Sequence, residues 1–153
     1  MSYIIVKKSK VHGTGVFAKW DIPAGSKIIE YVGRKISKSE SENISDERYS
    51  KYKGNEGEVA GVYLFELNSK YDIDGNVSWN DAKYINHSCD PNAETLNDRN
   101  HIWIIAIKDI KKGEEITYDY GYNLDNYKDH PCFCGSKKCC KFIVGESYRK
   151  RLC

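Results

Sequence analysis

What the chain lacks narrows its class first. No stretch approaches the roughly 18 consecutive apolar residues of a membrane span. Its start, MSYIIVKKSK, turns charged too soon to read as a secretory leader. It lacks an excess of charge of one sign: 24 basic residues face 22 acidic ones, for a net charge of +2. Nothing in that balance argues for a nucleic-acid partner. Repeats, low-complexity linkers and a boundary to a second domain are also missing. Phenylalanine is scarce, four residues against twelve tyrosines, so most of the aromatic surface carries a hydroxyl that needs a partner. The expected setting is intracellular and reducing, in the cytoplasm or nucleus. In such a compartment six cysteines point to metal more than to disulfides.

What is there fits one domain. The 153 residues suffice for a real core. Short apolar runs separated by turns predict a β-rich fold: YIIVKKS, HGTGVFAK, KIIEYVG, GVYLFELNSKYDIDG and HIWIIAIKDI. The last is the most apolar and is expected to be central. KKGEEITYDYGY reads as a turn at Gly113 followed by a strand ending in tyrosines. Between Ser37 and Ala60 the pattern becomes polar and helix-compatible, with Ser37 and Glu40 spaced as a capping box. Glu40, Glu42, Glu47, Glu56 and Glu58 of this insert read as a solvated face. So do the basic runs at Lys7–Lys10 and Lys137–Lys141. The richness in Lys, Asn and Ile looks more microbial or viral than animal, so delivery into a host cell stays open.

Two segments carry chemistry. KYINHSCDPN, from Lys83 to Asn92, gathers turn formers with an imidazole and a thiol into one bend. CFCGSKKCC places Cys132, Cys134 and Cys139 in a C-x-C-x4-C spacing, with Cys140 adjacent. A structural zinc takes four thiolate or imidazole ligands. The tail supplies three; the fourth is either Cys140 or a residue from elsewhere, with Cys89 in the polar bend a good candidate. Such a metal would contribute most of the tail's folding energy.

In chain order stand HGTGVFA, EYVG, YINHSCDPNA, EEITYDYGY and CFCGSKKC. Singly these are weak. Together, at these separations, they resemble a SET-domain protein-lysine methyltransferase with a cysteine-rich post-SET tail, over about Val6 to Phe142. The resemblance implies a mainly β fold of several short curved sheets, with a knot-like crossing of the NHSC and YDY segments. Residues 1–123 would be the SET domain, with a variable insert at 37–60, and residues 124–153 a zinc-binding tail. It implies S-adenosylmethionine as cofactor. His12, Thr14, Asn86 and His87 would hold it largely through main-chain groups, Tyr63 and Tyr118 would flank it, and Phe133 would close over it. One zinc would bind Cys89, Cys132, Cys134 and Cys139. Tyr120 would stand at the transfer centre with Tyr63 opposite, and Tyr31 would line the lysine channel. Tyr118 would limit the product mainly to mono- and dimethyl-lysine. The implied partner is a protein presenting a lysine, a histone tail or another basic protein, with the oligomeric state open. Two other readings compete: a non-catalytic module binding a peptide or the cofactor, and a zinc-stapled nucleic-acid binder using Lys137, Lys138, Lys141 and Arg149–Arg151. The lack of a reading helix argues against direct nucleic-acid binding.

Overall fold

The computed structural model describes residues 2–52 and 62–153. In chain order its strands are β1 (Ile4–Lys8), β2 (Thr14–Ala18), β3 (Lys27–Tyr31), β4 (Arg34–Ser37), β5 (Leu64–Glu66), β6 (Tyr71–Asp74), β7 (Asn86–His87), β8 (Ala93–Asp98), β9 (His101–Ala106) and β10 (Glu115–Tyr118). Helix α1 spans Lys38–Tyr52 and helix α2 spans Glu146–Leu152. The strands form three small sheets, ordered β1-β2-β10-β7, β3-β9-β8 and β4-β6-β5.

Strand β9 shows why HIWIIA folds this way. Its β-branched residues alternate, placing Ile102, Ile104 and Ala106 inward. It occupies the centre of its sheet, as expected. Ile104 joins Val16, Ile22, Ile85, Ile110 and Ile116 in one core cluster, all at or below 1% exposure. Burying each such side chain stabilises the fold by about 1.5–3 kcal/mol. The turn that sends the chain into β10 uses Gly113 at φ +88°, a left-handed conformation that glycine adopts without a Cβ clash. Strands β4 and β8 carry no clear apolar alternation. Pairing fixes both: β4 against β6, and β8 along the whole of β9.

Helix α1 begins where the capping-box spacing puts it, with Ser37 Oγ accepting the Glu40 N–H at 3.2 Å. It is polar on nearly every side, with Ile44 its lone aliphatic residue. The remainder of the insert, including Glu56 and Glu58, lies outside the described residues.

The tail has more apolar anchoring than its composition suggests. Ile143 and Val144 are buried, at 4% and 0% exposure. Helix α2 follows, an element with no periodic apolar signal in ESYRKRL. Arg149 on α2 is buried, donates to the Val144 carbonyl at 2.7 Å and pairs with Asp119 at 2.9 Å. This residue is therefore committed inside the protein and unavailable to a phosphate backbone.

Candidate active site

The site is organised where two very short segments meet. Strand β7 is only two residues long and lies parallel to β10, pairing Asn86 with Thr117 and His87 with Tyr118. So short a pairing needs further fastening, and the turn formers of the bend provide it. Asn92 Nδ2 donates to the Glu115 carbonyl at 2.8 Å, and Asn92 Oδ1 accepts the Thr117 N–H at 2.9 Å. Ser88 Oγ accepts the Asp90 N–H at 3.0 Å. Asn86 Nδ2 lies 3.1 Å from the carbonyls of both His12 and Thr14, and 2.8 Å from Glu115 Oε1. Its amide is thus spent on ordering the first glycine loop against β7.

His87 is buried, and burial lowers its pKa to about 4 despite the opposing pull of Asp119. Its Nδ1 accepts the Tyr120 N–H at 3.1 Å. The neutral ring therefore carries its proton on Nε2, which faces Cys89 Sγ at 3.5 Å. One imidazole thereby links the tyrosine segment to the thiol cluster.

Beside this junction is a cavity of about 830 Å³. His12, Thr14, Tyr31, Tyr63, Asn86, His87, Tyr118, Tyr120 and Phe133 all line it. These nine come from six separate stretches of the chain. The tyrosine wall is continuous: Tyr118 and Tyr120 have ring centroids 5.0 Å apart, and Phe65 bridges Tyr31 (4.4 Å) to Tyr118 (5.8 Å). Tyr120 donates its hydroxyl to the Ile85 carbonyl at 2.8 Å, and Tyr31 donates to the Tyr63 carbonyl at 2.9 Å. Gly75 makes room for Tyr31, since a Cβ there would stand 2.3 Å from its ring. Burial pushes the phenols of Tyr118, Tyr120 and Tyr31 far up and that of Tyr122 to about 12. The wall is therefore uncharged at neutral pH. Phe133 is 52% exposed at the mouth.

Sequence reasoning missed part of this lining. Tyr122 continues the every-second-residue spacing of Tyr118 and Tyr120, a signal that was available. Phe65, Tyr49 and His130 also line the cavity, and nothing local marks them. Tyr49 on α1 donates to the Asp129 carboxylate, and its ring lies 6.1 Å from that of His130. This contact ties helix to tail across the cavity.

Below the bend, the Sγ atoms of Cys89, Cys132, Cys134 and Cys139 all lie within 4.8 Å of one another. Cys89 and Cys132 stand 3.8 Å apart. Four thiolates about 2.3 Å from a zinc in a tetrahedron are separated by about 3.8 Å. The donor set and its spacing thus fit that ion. Cys140 is bonded to Cys153 instead, across 13 residues. Of the two cysteines that spacing left open, Cys89 is the one whose thiol joins the other three. The cluster links the bend at 89 to the tail at 132–139, with Phe133 between two of its thiols.

Three small sheets gathered around a parallel pairing of two short strands, with a four-thiol cluster against one wall of a tyrosine-lined cavity, define a narrow class of fold. The SET domain family model matches residues 13–121, and the chain belongs to that family. It is 37% identical over 145 residues to histone-lysine N-methyltransferase trithorax of Drosophila virilis, covering 92% of this chain and 4% of that protein. Human histone-lysine N-methyltransferase 2B is 36% identical over 143 residues, 90% of this chain and 5% of its own length. Histone-lysine N-methyltransferase set1 of Dictyostelium discoideum is 38% identical over 139 residues, 87% of this chain and 9% of its own. The chain thus spans less than a tenth of these relatives.

Proposed function

We propose that this chain is an S-adenosylmethionine-dependent protein-lysine N-methyltransferase acting on a histone or another basic protein, with residues 124–153 as its zinc-binding tail. The observation that carries the reading is the cavity, which gathers nine residues of the expected kinds from six stretches. The relatives' names support the reaction and the substrate class. Asp46, Glu66 and Asp125 along the cavity add carboxylates suited to a basic peptide.

S-adenosylmethionine, when bound, supplies a methyl group on a sulfonium. The chain's own residues do the rest. His12 and Thr14, held by the Asn86 amide, and the main chain at Asn86 and His87 form the cofactor wall. Tyr63 and Tyr118 flank it, and Phe133 covers it. A lysine ammonium with a pKa of about 10.4 must lose its proton before it can attack. Tyrosine rings attract the cation to the channel. The same rings strip water from it and lower its pKa. The buried phenols stay protonated, so no tyrosinate stabilises the ammonium. Water carries the proton away. Tyr120, Tyr63 and Tyr31 then hold the amine in line with the methyl group, and the Tyr118 hydroxyl crowds a third methylation. Cys89, Cys132, Cys134 and Cys139 would hold zinc and set the tail against the cofactor wall.

The test is transfer of labelled methyl from S-adenosylmethionine to core histones and a basic protein extract, with cofactor binding followed by calorimetry. Label on lysine is the expected result. Cofactor binding without label on either substrate would favour the non-catalytic module. No cofactor binding would overturn the reading.

A further inference from the structure

Helix α1 walls the cavity with Ser45, Asp46 and Tyr49, yet it has no apolar stripe to press into the core. A helix that is polar all round is not placed by hydrophobic burial. Its one buried residue among those described is Ser41, and its strongest polar anchor is Arg48. Nη1 and Nη2 donate to the two carboxylate oxygens of Asp74 at 2.9 and 3.0 Å, and Nη1 also donates to the Val62 carbonyl at 2.6 Å. The Asp74 side chain is 1% exposed and that of Arg48 17%. Asp74 further accepts from Arg34 at 2.9 Å and from the Asn76 N–H at 3.1 Å. Burial alone would raise the Asp74 carboxyl. The donors outweigh burial and hold it below the usual range, so it is ionised at neutral pH.

The residue after Val62 is Tyr63, which has φ +56°. Side chains other than glycine rarely adopt that conformation, and it persists only where its surroundings over-determine it. Here the surroundings do. Arg48 holds the carbonyl before Tyr63. The Gly75 N–H (2.8 Å) and the Tyr31 hydroxyl (2.9 Å) hold the carbonyl of Tyr63 itself. Gly75 directly follows Asp74, so the ion pair braces both sides of the turn.

We propose that Arg48 is a positioning residue: through Asp74 and the Val62 carbonyl it holds Tyr63 in its left-handed turn and sets α1 against β5, fixing the width of the lysine channel. This rests on the methyltransferase reading of the cavity. Arginine is required because its planar fork meets two carboxylate oxygens and a carbonyl at once, which a lysine ammonium does not. Arg34 remains beside Asp74, so an Arg48 variant does not strand the carboxylate.

The experiment compares wild type with Arg48→Lys, Arg48→Ala and the control Lys38→Ala. Lys38 ties the other end of α1 through ion pairs to Asp72 (2.6 Å) and Glu66 (3.2 Å). Amide exchange at Gly75, cofactor affinity, and kcat and KM on core histones are measured on each. Both Arg48 variants are expected to speed Gly75 exchange by about tenfold. They should lower kcat by about tenfold or more and the melting temperature by several degrees through the lost hydrogen bonds, with cofactor affinity close to wild type. Lys38→Ala should change none of these. Wild-type kcat with Gly75 still protected in Arg48→Ala overturns the proposal. So does a loss of activity that comes only with lost cofactor affinity and general unfolding in both variants. An inactive wild type would overturn the methyltransferase reading alone, and Gly75 exchange would still decide whether Arg48 braces the turn.

Discussion

Replacing Tyr120 by phenylalanine removes one hydroxyl and keeps the ring. That hydroxyl donates to the carbonyl of Ile85, a residue 1% exposed. A typical hydrogen bond contributes about 1 kcal/mol net, and a buried carbonyl deprived of its donor raises the loss to about 1–3 kcal/mol. For a domain of this size each kcal/mol moves Tm by about 2–4 °C, so a fall of roughly 2–12 °C is expected. Domains are commonly stable by about 5–15 kcal/mol. Even 3 kcal/mol taken from the lower end leaves about 2 kcal/mol, or roughly 25 folded molecules per unfolded one at 25 °C. Unfolding therefore trims the rate by only a few per cent. If the hydroxyl serves the transfer centre, kcat should instead drop about 100-fold, the effect of losing one positioned polar group. The assay is initial-rate methyl transfer at saturating cofactor, with melting and cofactor calorimetry run in parallel. A Tyr120→Phe protein with the expected Tm shift but a kcat within about twofold of wild type would refute the reasoning and leave Tyr120 a structural tyrosine.

Tyr118→Phe should shift the product from mono- and dimethyl- toward trimethyl-lysine by mass spectrometry; an unchanged distribution would refute the role given to its hydroxyl. Purified protein should carry about one zinc per chain, as a four-thiolate site implies. Stripping it with a chelator should weaken cofactor binding by about tenfold while amides around Ile104 stay protected from exchange; a metal-free protein of full affinity would count against the cluster's role. Asp74 supplies a pH test. Its folded pKa is depressed, so its stabilisation is present above the unfolded value of about 3.9 and is lost as pH falls through the lower folded value. Denaturant unfolding should show the gap between wild type and Asp74→Asn at full size near neutrality and narrowing below about pH 4; a gap independent of pH would rule this out.

Much of the sheet framework was legible because β9 buries every second residue and β2 and β3 are short apolar runs bounded by turns, patterns the chain displays locally. Strand β8 was not, since AETLND buries only Ala93 fully and is shaped by its neighbour. Helix α2 was hidden for a related reason: ESYRKRL is polar, and a buried Arg149 ion pair helps to hold it. The thiol cluster was three-quarters legible from spacing, whereas its fourth member depends on where a bend some forty residues earlier lands. Tyr122 could have been found by counting in twos. Arg48, Tyr49 and His130 could not, because each acts through a partner brought close only by the finished fold.

The polar character of α1 bears on how such a chain can evolve. Glu42, Asn43 and Glu47 are exposed, Asp46 is exposed along the cavity, and none supports the cluster around Ile104. On the proposed methyltransferase reading, a substitution at Asp46 changes what an approaching peptide meets without disturbing the interior. So long as Arg48 is kept, target preference can drift along this one helix while the tyrosine wall is inherited unaltered.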